Sequence, residues 1–97
     1  MIIKHWQGYG RLEAKRISTK TNKDPFYGDT KTMTIRVKGN HEWGIERNDT
    51  YDVYNWLLKK FDKSVDSYRR IKNLKLNSYT ENGTDICDYI ITYEVPA

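Results

Sequence analysis

The side chains that could carry out catalysis are few and lie far apart along the chain. Two histidines, His5 and His41, could act as general acid and base near neutral pH in a small metal-independent ribonuclease. In the predicted first strand, His5 and Trp6 point to opposite faces. His41 follows a predicted turn, so no sequence pattern brings the two imidazoles together. We therefore predict a protein that is not an enzyme, with the small ribonuclease as one alternative function.

The other chemistry-bearing residues point to neither a cofactor nor a metal ion. The lone Cys87 and the two histidines do not have zinc-ligand spacing. The stretch Gly8-Tyr9-Gly10 lacks the third glycine of a dinucleotide fingerprint, because position 13 is a glutamate. Cys87 is predicted to be a buried thiol beside Ser78. We expect no cofactor and no metal site.

Length and composition predict one folded domain over residues 1–97. The chain is polar, with 37% hydrophobic and 31% charged residues and a mean hydropathy of −0.89. A 13% aromatic content nevertheless favours folding around a small core over disorder. A chain of this length closes a single hydrophobic core.

The net charge of +4 is concentrated in the first half of the chain. Residues 1–47 hold ten Lys or Arg and five Asp or Glu, whereas residues 48–97 hold seven and eight. A basic half favours contact with an acidic protein surface or with nucleic acid. The N-terminus shows no apolar stretch of secretory or membrane-spanning length, so we expect a cytoplasmic protein that does not contact a membrane.

Hydrophobic periodicity predicts an α+β fold with a curved antiparallel sheet of four to five strands and one helix, in the order β-β-(β)-α-β-β. Residues 2–18 are predicted to form one long strand that bends at Gly8 and Gly10. Residues 19–30 are predicted to be a loop. Residues 31–38 alternate between apolar and polar types, which indicates a half-buried antiparallel strand.

Residues 41–46 are predicted to form a short third strand, and the only helix follows it. Asp49 is the expected N-cap and Asp52 lies in the first turn, where a carboxylate is favourable. The helix is predicted to end near Lys63. Its apolar stripe should cover the concave face of the sheet and consists of Val53, Tyr54, Leu57, Leu58 and Phe61.

The pair Asn82-Gly83 predicts a two-residue type I′ hairpin turn near the C-terminus. In that register, residues whose numbers sum to 165 face each other. One face of the hairpin then becomes apolar and the other mixed, as expected of a hairpin covered by a helix.

Three groups of side chains are candidates for partner binding. The first is on the helix, where Trp56 is predicted to point away from the sheet on the side that carries Lys59, Lys60 and Lys63. Burial of Trp56 beneath the N-terminal strand or the loop was the alternative interpretation.

The second group lies on the outer sheet face and the third on the loop. Arg36 and Lys38 are predicted to share the outer face with Lys75 and three apolar residues, Tyr79, Ile86 and Ile90, as a partner interface or a homodimer contact. The loop group comprises Lys20, Lys23, Phe26 and Tyr27, which could insert into a groove of a partner. For both groups an ordinary solvated surface was the alternative.

Residues 1–10 and 40–51, together with the small size, the lone cysteine and the high Lys, Asn and Tyr content, resemble small phage and prophage proteins of low-GC Gram-positive bacteria. That class includes inhibitors of host defence such as anti-CRISPR proteins, which are commonly single small domains that act by stoichiometric binding. The resemblance implies a phage-encoded inhibitor of a host protein or ribonucleoprotein in the host cytoplasm, and it assigns no residue a role.

The positive net charge distinguishes this chain from acidic inhibitors that mimic DNA. We therefore predict that an inhibitor of this kind meets an acidic protein surface or an RNA-bearing complex. A direct nucleic-acid-binding protein with a basic face is the other alternative function.

Overall fold

The computed structural model describes residues 1–4, 11–39, 52–65 and 68–95, apart from the side chains of Lys4, Arg11, Asp52, Val53 and Tyr68. In this part of the chain, five antiparallel strands form one open sheet in the spatial order β1-β2-β3-β5-β4. The elements in chain order are β1 (Ile2–Lys4), β2 (Arg11–Asn22), β3 (Thr30–Lys38), α1 (Asp52–Lys59), a 3₁₀ turn (Tyr68–Arg70), β4 (Ile71–Glu81) and β5 (Thr84–Glu94). The α+β class is confirmed, because the described residues form mostly an antiparallel sheet, with a single short helix.

The hydrophobic core lies between one face of the sheet and α1. Met33, Ile35 and Val37 of β3 are buried, as the period of two predicted. They belong to the same buried cluster as Leu57 and Leu58 of the helix. The alternate residues of β3, which are Thr32, Thr34, Arg36 and Lys38, point to the opposite side, called the outer face below.

The first strand differs from its prediction, because residues 2–18 do not form one long strand. Instead β1 and β2 are separate strands that pair antiparallel, with Ile2 opposite Glu13 and Ile3 opposite Leu12. Glycine permits a chain reversal as readily as a bulge, so the two glycines between these strands were compatible with both arrangements. Among the described residues, the order of elements is β-β-β-α-β-β, and the last of the strands described before the helix ends at Lys38.

The loop predicted over residues 19–30 is also shorter than expected. β2 continues to Asn22 and β3 begins at Thr30, so the connection spans residues 23–29. Threonine favours strands, and the side-chain amide of Asn22 donates hydrogen bonds to Thr30 Oγ1 (3.3 Å) and Thr32 Oγ1 (3.2 Å). These contacts extend the hairpin of β2 and β3 past the predicted end of the first strand.

The helix ends at Lys59, earlier than the predicted Lys63. The Lys60 N–H donates to the Leu57 carbonyl (3.1 Å) and the Phe61 N–H to the Leu58 carbonyl (3.0 Å), which is the tightened geometry of a last helical turn. Within the predicted stripe, Tyr54, Leu57 and Leu58 are buried and Phe61 packs against the core. The Asp49 cap and the strand over residues 41–46 lie outside the described residues.

The hairpin of β4 and β5 confirms the predicted register. Glu81 pairs with Thr84, Tyr79 with Ile86 and Leu76 with Tyr89, so the residue numbers sum to 165. Asn82 and Gly83 both have positive φ, at 51° and 78°, as a type I′ turn requires. The buried Cys87 accepts a hydrogen bond from the Ser78 hydroxyl, in agreement with its predicted surroundings.

Replacing Gly83 with alanine is expected to lower the free energy of unfolding by about 1–2 kcal/mol, because an L side chain is strained in the left-handed region. No atom lies within 4 Å of the added Cβ position, so the backbone conformation alone causes this loss. Urea denaturation measures it, with Thr84→Ala at the neighbouring exposed position as the control. Equal stability of Gly83→Ala and Thr84→Ala would contradict the left-handed turn.

A polar contact joins the segment after the helix to β5. The buried Tyr93 donates its hydroxyl hydrogen to Asp62 Oδ2 (2.7 Å), and Asp62 Oδ1 accepts from both the N–H (3.0 Å) and the hydroxyl (2.6 Å) of Ser64. Partial burial raises the pKa of Asp62, but the hydrogen bonds from Ser64 and Tyr93 outweigh it and hold the pKa below 3.8. Burial and the hydrogen bond to Asp62 raise the pKa of Tyr93 above 10.0.

We expect Tyr93→Phe to lower the free energy of unfolding at pH 7 by about 1.5–3 kcal/mol, because a hydrogen bond to a carboxylate is lost. The lowered pKa of Asp62 stabilises the fold above pH 3.8, and this contribution is lost as the pH falls through the folded-state pKa. The raised pKa of Tyr93 stabilises the fold below pH 10.0, and this contribution is lost as the pH rises. Urea denaturation at about pH 3, 7 and 11 should therefore show the largest difference between the wild type and Tyr93→Phe at pH 7. A difference that stays constant with pH would contradict the contact.

Candidate functional site

The predicted binding residues fall into three separate groups in the structure. One group surrounds the loop between β2 and β3, a second lies on the outer face, and the third lies on and after α1. Because α1 covers the core face, the second and third groups are on opposite sides of the sheet. These groups are, in the same order, Lys20, Lys23, Phe26 and Tyr27; Arg36 and Lys38; Trp56, Lys59, Lys60 and Lys63.

Two aromatic side chains at the loop between β2 and β3 are almost fully exposed. Phe26 is 88% and Tyr27 is 93% accessible to solvent, the highest values among the exposed large hydrophobic residues that the structure describes. The last sheet pair of this hairpin is Asn22–Thr30, so both rings lie beyond the end of the paired strands. Residues 23–29 are called the hairpin tip below.

The backbone of the hairpin tip is held by the side chain of Asp24. Its Oδ1 accepts hydrogen bonds from the N–H groups of Phe26 (2.9 Å) and Tyr27 (3.1 Å). Aspartate commonly closes turns in this way, by bonding to backbone N–H groups two and three residues later. The carbonyl oxygen of Asp24 also accepts from the Gly28 N–H (3.1 Å), and Gly28 has a φ of 89°, which favours glycine.

Asp29 closes the base of the hairpin tip. Its Oδ2 accepts from Lys23 Nζ (2.9 Å) and its Oδ1 from the Asp24 N–H (3.3 Å). The hydrogen bond from Lys23 and that from the Asp24 backbone lower the pKa of Asp29 below 3.8. The Asp29 carbonyl accepts from the Val95 N–H (3.4 Å), which connects the tip to the end of β5. The two exposed rings therefore stand on a turn that is fixed at several points.

Trp56 differs from its prediction. It does not point freely away from the sheet but is partly buried and packs against the core cluster. The Nζ of Lys60 lies over the indole, 5.3 Å from the ring centroid, at a distance typical of a cation–π contact. Lys59, Lys60 and Lys63 are exposed as predicted. The indole of Trp56 is large enough to reach from the polar side of a short helix to the core. The position of Trp56 around the helix axis therefore did not determine the solvent exposure of its side chain.

The outer face carries the other predicted group. Arg36 forms a bidentate ion pair with Asp88, with Nε 2.9 Å from Oδ1 and Nη2 3.1 Å from Oδ2. The ion pair with Asp88 raises the pKa of Arg36. Lys38 is exposed, and both cations line a small pocket together with Glu13 and Lys15. The sequence analysis missed Glu13 and Lys15, because β2 has a register shift between Arg16 and Ser18 that no local pattern indicated.

The apolar residues predicted on the outer face do lie there, but none of them is fully exposed to solvent. Ile86 and Ile90 of β5 are four residues apart and share one side of the sheet, and Tyr79 of β4 lies on the same side because it pairs with Ile86. Ile86 is buried, and Tyr79 and Ile90 are half-buried. A homodimer through this face stays a prediction.

The candidate residues for catalysis and metal binding are described only in part. His5 and His41 both lie outside the described residues, so the ribonuclease alternative stays a prediction. Residues 1–4, 11–39, 52–65 and 68–95 contain no group of three or more His, Cys, Asp or Glu that could hold a metal ion. Across the same ranges no helix has the length and apolar character needed to cross a membrane.

Comparison with known proteins finds no family model, no curated protein and no solved structure that matches this chain.

Proposed function

We propose that this chain is a non-catalytic binding protein that inserts its hairpin tip into an apolar pocket of a partner protein. The observation that carries the proposal is the exposure of Phe26 (88%) and Tyr27 (93%) side by side on a fixed turn. Large aromatic side chains in the centre of an interface supply much of its binding energy. A folded monomer gains nothing from holding two adjacent rings in water, so their placement favours an intermolecular role.

The fixed turn supports high affinity because little conformational entropy is lost on binding. Both N–H groups of the aromatic pair are bonded to Asp24, and the base of the tip is closed by the ion pair between Lys23 and Asp29. A binding loop that already has its bound conformation does not have to be ordered by the partner. Phenylalanine and tyrosine also have few side-chain torsions to restrict.

The charge of the hairpin tip favours a protein pocket over an anionic surface. Within residues 23–29, Lys23 stands against two aspartates, Asp24 and Asp29, so the hairpin tip has a net charge of −1. An RNA backbone or an anionic membrane would be met by an excess of cations. The tip instead combines an apolar end with a polar base that has no excess of cations, which is the pattern of a hydrophobic interface core with a polar rim.

Within this proposal, inhibition of a host defence protein or ribonucleoprotein by a phage-encoded protein is the biological role that the sequence resemblance favours. A single small domain that binds stoichiometrically needs only one strong anchor. The hairpin tip provides such an anchor.

A site-specific photo-crosslinker tests which surface meets the partner. In one variant Phe26 is replaced by p-benzoylphenylalanine. In the matched control the same replacement is made at Leu76, which lies on β4 and is 37% exposed. After irradiation in a lysate of a low-GC Gram-positive bacterium, we expect one discrete protein adduct from position 26 and none from position 76. Adducts from position 76 alone, or identical adducts from both positions, would reject the tip as the anchor.

A further inference from the structure

A surface pocket of about 150 Å³ lies on the outer face of β2 and β3, and its lining is charged. The lining side chains are Glu13, Lys15, Arg36 and Lys38. The strand register places Glu13 opposite Lys38 and Lys15 opposite Arg36. Three cations and one carboxylate therefore surround one small space. A pocket of this volume suits a ligand much smaller than a coenzyme or a drug.

The cross-strand pairing of Lys15 with Arg36 brings two positive charges together. Like charges directly opposite each other destabilise a sheet. Asp88 offsets part of this repulsion through its bidentate ion pair with Nε and Nη2 of Arg36, but Asp88 and Glu13 are still two carboxylates against three cations. Asp88 also fixes the plane of the guanidinium, and within the described part of the chain Nη1 donates no hydrogen bond. An anion in the pocket would neutralise the excess charge and accept hydrogen bonds from these groups.

Arginine and lysine together recognise phosphate oxygens, since arginine offers a planar fork of donors and lysine a mobile point charge. Glu13 adds a second requirement. Its carboxylate repels another anion but accepts a hydrogen bond from a hydroxyl group. The lining thus fits a ligand that presents a phosphate group on one side and a hydroxyl on the other.

We infer that this pocket binds a hydroxyl-bearing phosphate ester, with the phosphate at Lys15, Arg36 and Lys38 and the hydroxyl at Glu13. Such a unit occurs both in free sugar phosphates and in the ribose phosphate backbone of RNA. The inference does not depend on the hairpin tip, because the pocket lies on the face of the sheet and none of its lining residues belongs to residues 23–29.

Ligand binding to the pocket is tested by titrating the protein at constant ionic strength and monitoring its amide signals by NMR. The probes are inorganic phosphate, ribose 5-phosphate and a uridine octamer, with sodium chloride as the reference. We expect ribose 5-phosphate to shift the amide signals of residues 13, 15, 36 and 38, with half-saturation at about 1 mM or below. If the uridine octamer binds about tenfold tighter than ribose 5-phosphate, the ligand of the pocket is an RNA backbone. If the two bind equally well, the ligand is a free sugar phosphate.

Charge-matched variants separate a pocket from general attraction to a basic protein. Lys15→Gln with Lys38→Gln is expected to weaken binding of ribose 5-phosphate at least tenfold. Lys20→Gln with Lys75→Gln removes two exposed lysines of the outer face that do not line the pocket, and should change binding less than about twofold. Arg36 is left intact because Asp88 is buried against it.

Glu13→Gln distinguishes the two halves of the ligand. Removal of the carboxylate should strengthen binding of inorganic phosphate severalfold and leave ribose 5-phosphate with no gain or a loss. The inference is overturned if sodium chloride produces the same shifts, if neither ester shifts these four amides, or if both lysine double variants lose binding equally.

Discussion

Replacing Phe26 and Tyr27 together with alanine is expected to lower the affinity for the partner protein by about 1,000-fold, without a change in folding. Each aromatic anchor in the centre of an interface contributes about 2 kcal/mol or more when truncated, which is roughly 30-fold in the dissociation constant. Both side chains are almost fully exposed in the free chain. Exposed side chains that make no packing contacts change stability by less than about 0.5 kcal/mol when truncated.

The partner is first identified with the immobilised wild-type chain, and its dissociation constant is then measured by calorimetry for each variant. Ile2→Ala with Ile17→Ala is the matched control, because it removes two other exposed apolar side chains, which are 63% and 41% accessible. This control should bind within about threefold of the wild type. Undiminished binding by the aromatic double variant, together with weaker binding by the isoleucine variant, would place the interface elsewhere.

Leu57→Ala is expected to produce the largest loss of stability, about 2–5 kcal/mol. The Leu57 side chain is fully buried in the single cluster that joins α1 to the sheet. Truncation there removes apolar contacts and leaves a cavity, since the sheet strands on the other side of the core cannot collapse into it. In a domain of about this length, that loss lowers the melting temperature by roughly 10–30 °C.

Thermal unfolding followed by circular dichroism measures this change, and Lys59→Ala serves as the control in the same helix. Lys59 is exposed, so its truncation should shift the melting temperature by only a few degrees. A shift of similar size for both variants would mean that α1 does not cover the sheet, and the division into a core face and an outer face would then be wrong.

The parts of the fold that the sequence predicted are those governed by local chemistry. The pair Asn82-Gly83 adopts positive φ values that few other residues tolerate, and the register of β4 and β5 follows from that one turn as far as the pair Asn73–Thr92, beyond which it shifts. The alternation in β3 likewise requires no knowledge of neighbouring strands. Both predictions were confirmed to within one residue.

The wrong predictions concern features that depend on distant contacts. The division of residues 2–18 into β1 and β2 is determined by pairing between Ile2 and Glu13, which no local pattern reveals. The extension of β2 to Asn22 similarly depends on pairing with Thr30. Threonine, lysine and asparagine are common in loops as well as in exposed strands, so composition favoured the loop.

For the candidate site, the sequence predicted Phe26 and Tyr27 among the binding residues, but in a different local structure. Phe26 and Tyr27 were predicted on a mobile basic loop, whereas the structure places them on a turn closed by Asp24 and Asp29. The chemical signal was present in the spacing of Asp24 before the two aromatics, which is typical of a side chain that caps a turn. The helix position of Trp56 predicts an exposed indole, but that residue is partly buried because its ring packs against the core.

Hydrogen–deuterium exchange of the complex, compared with the free chain, tests the central proposal most directly. Backbone amides of residues 23–29 should become protected when the partner binds, because the hairpin tip is enclosed by the pocket that receives it. The amides of the described part of α1 should exchange at the same rate in both states. Unchanged exchange at residues 23–29, with protection confined to α1 or to the outer face, would contradict the hairpin tip as the binding site.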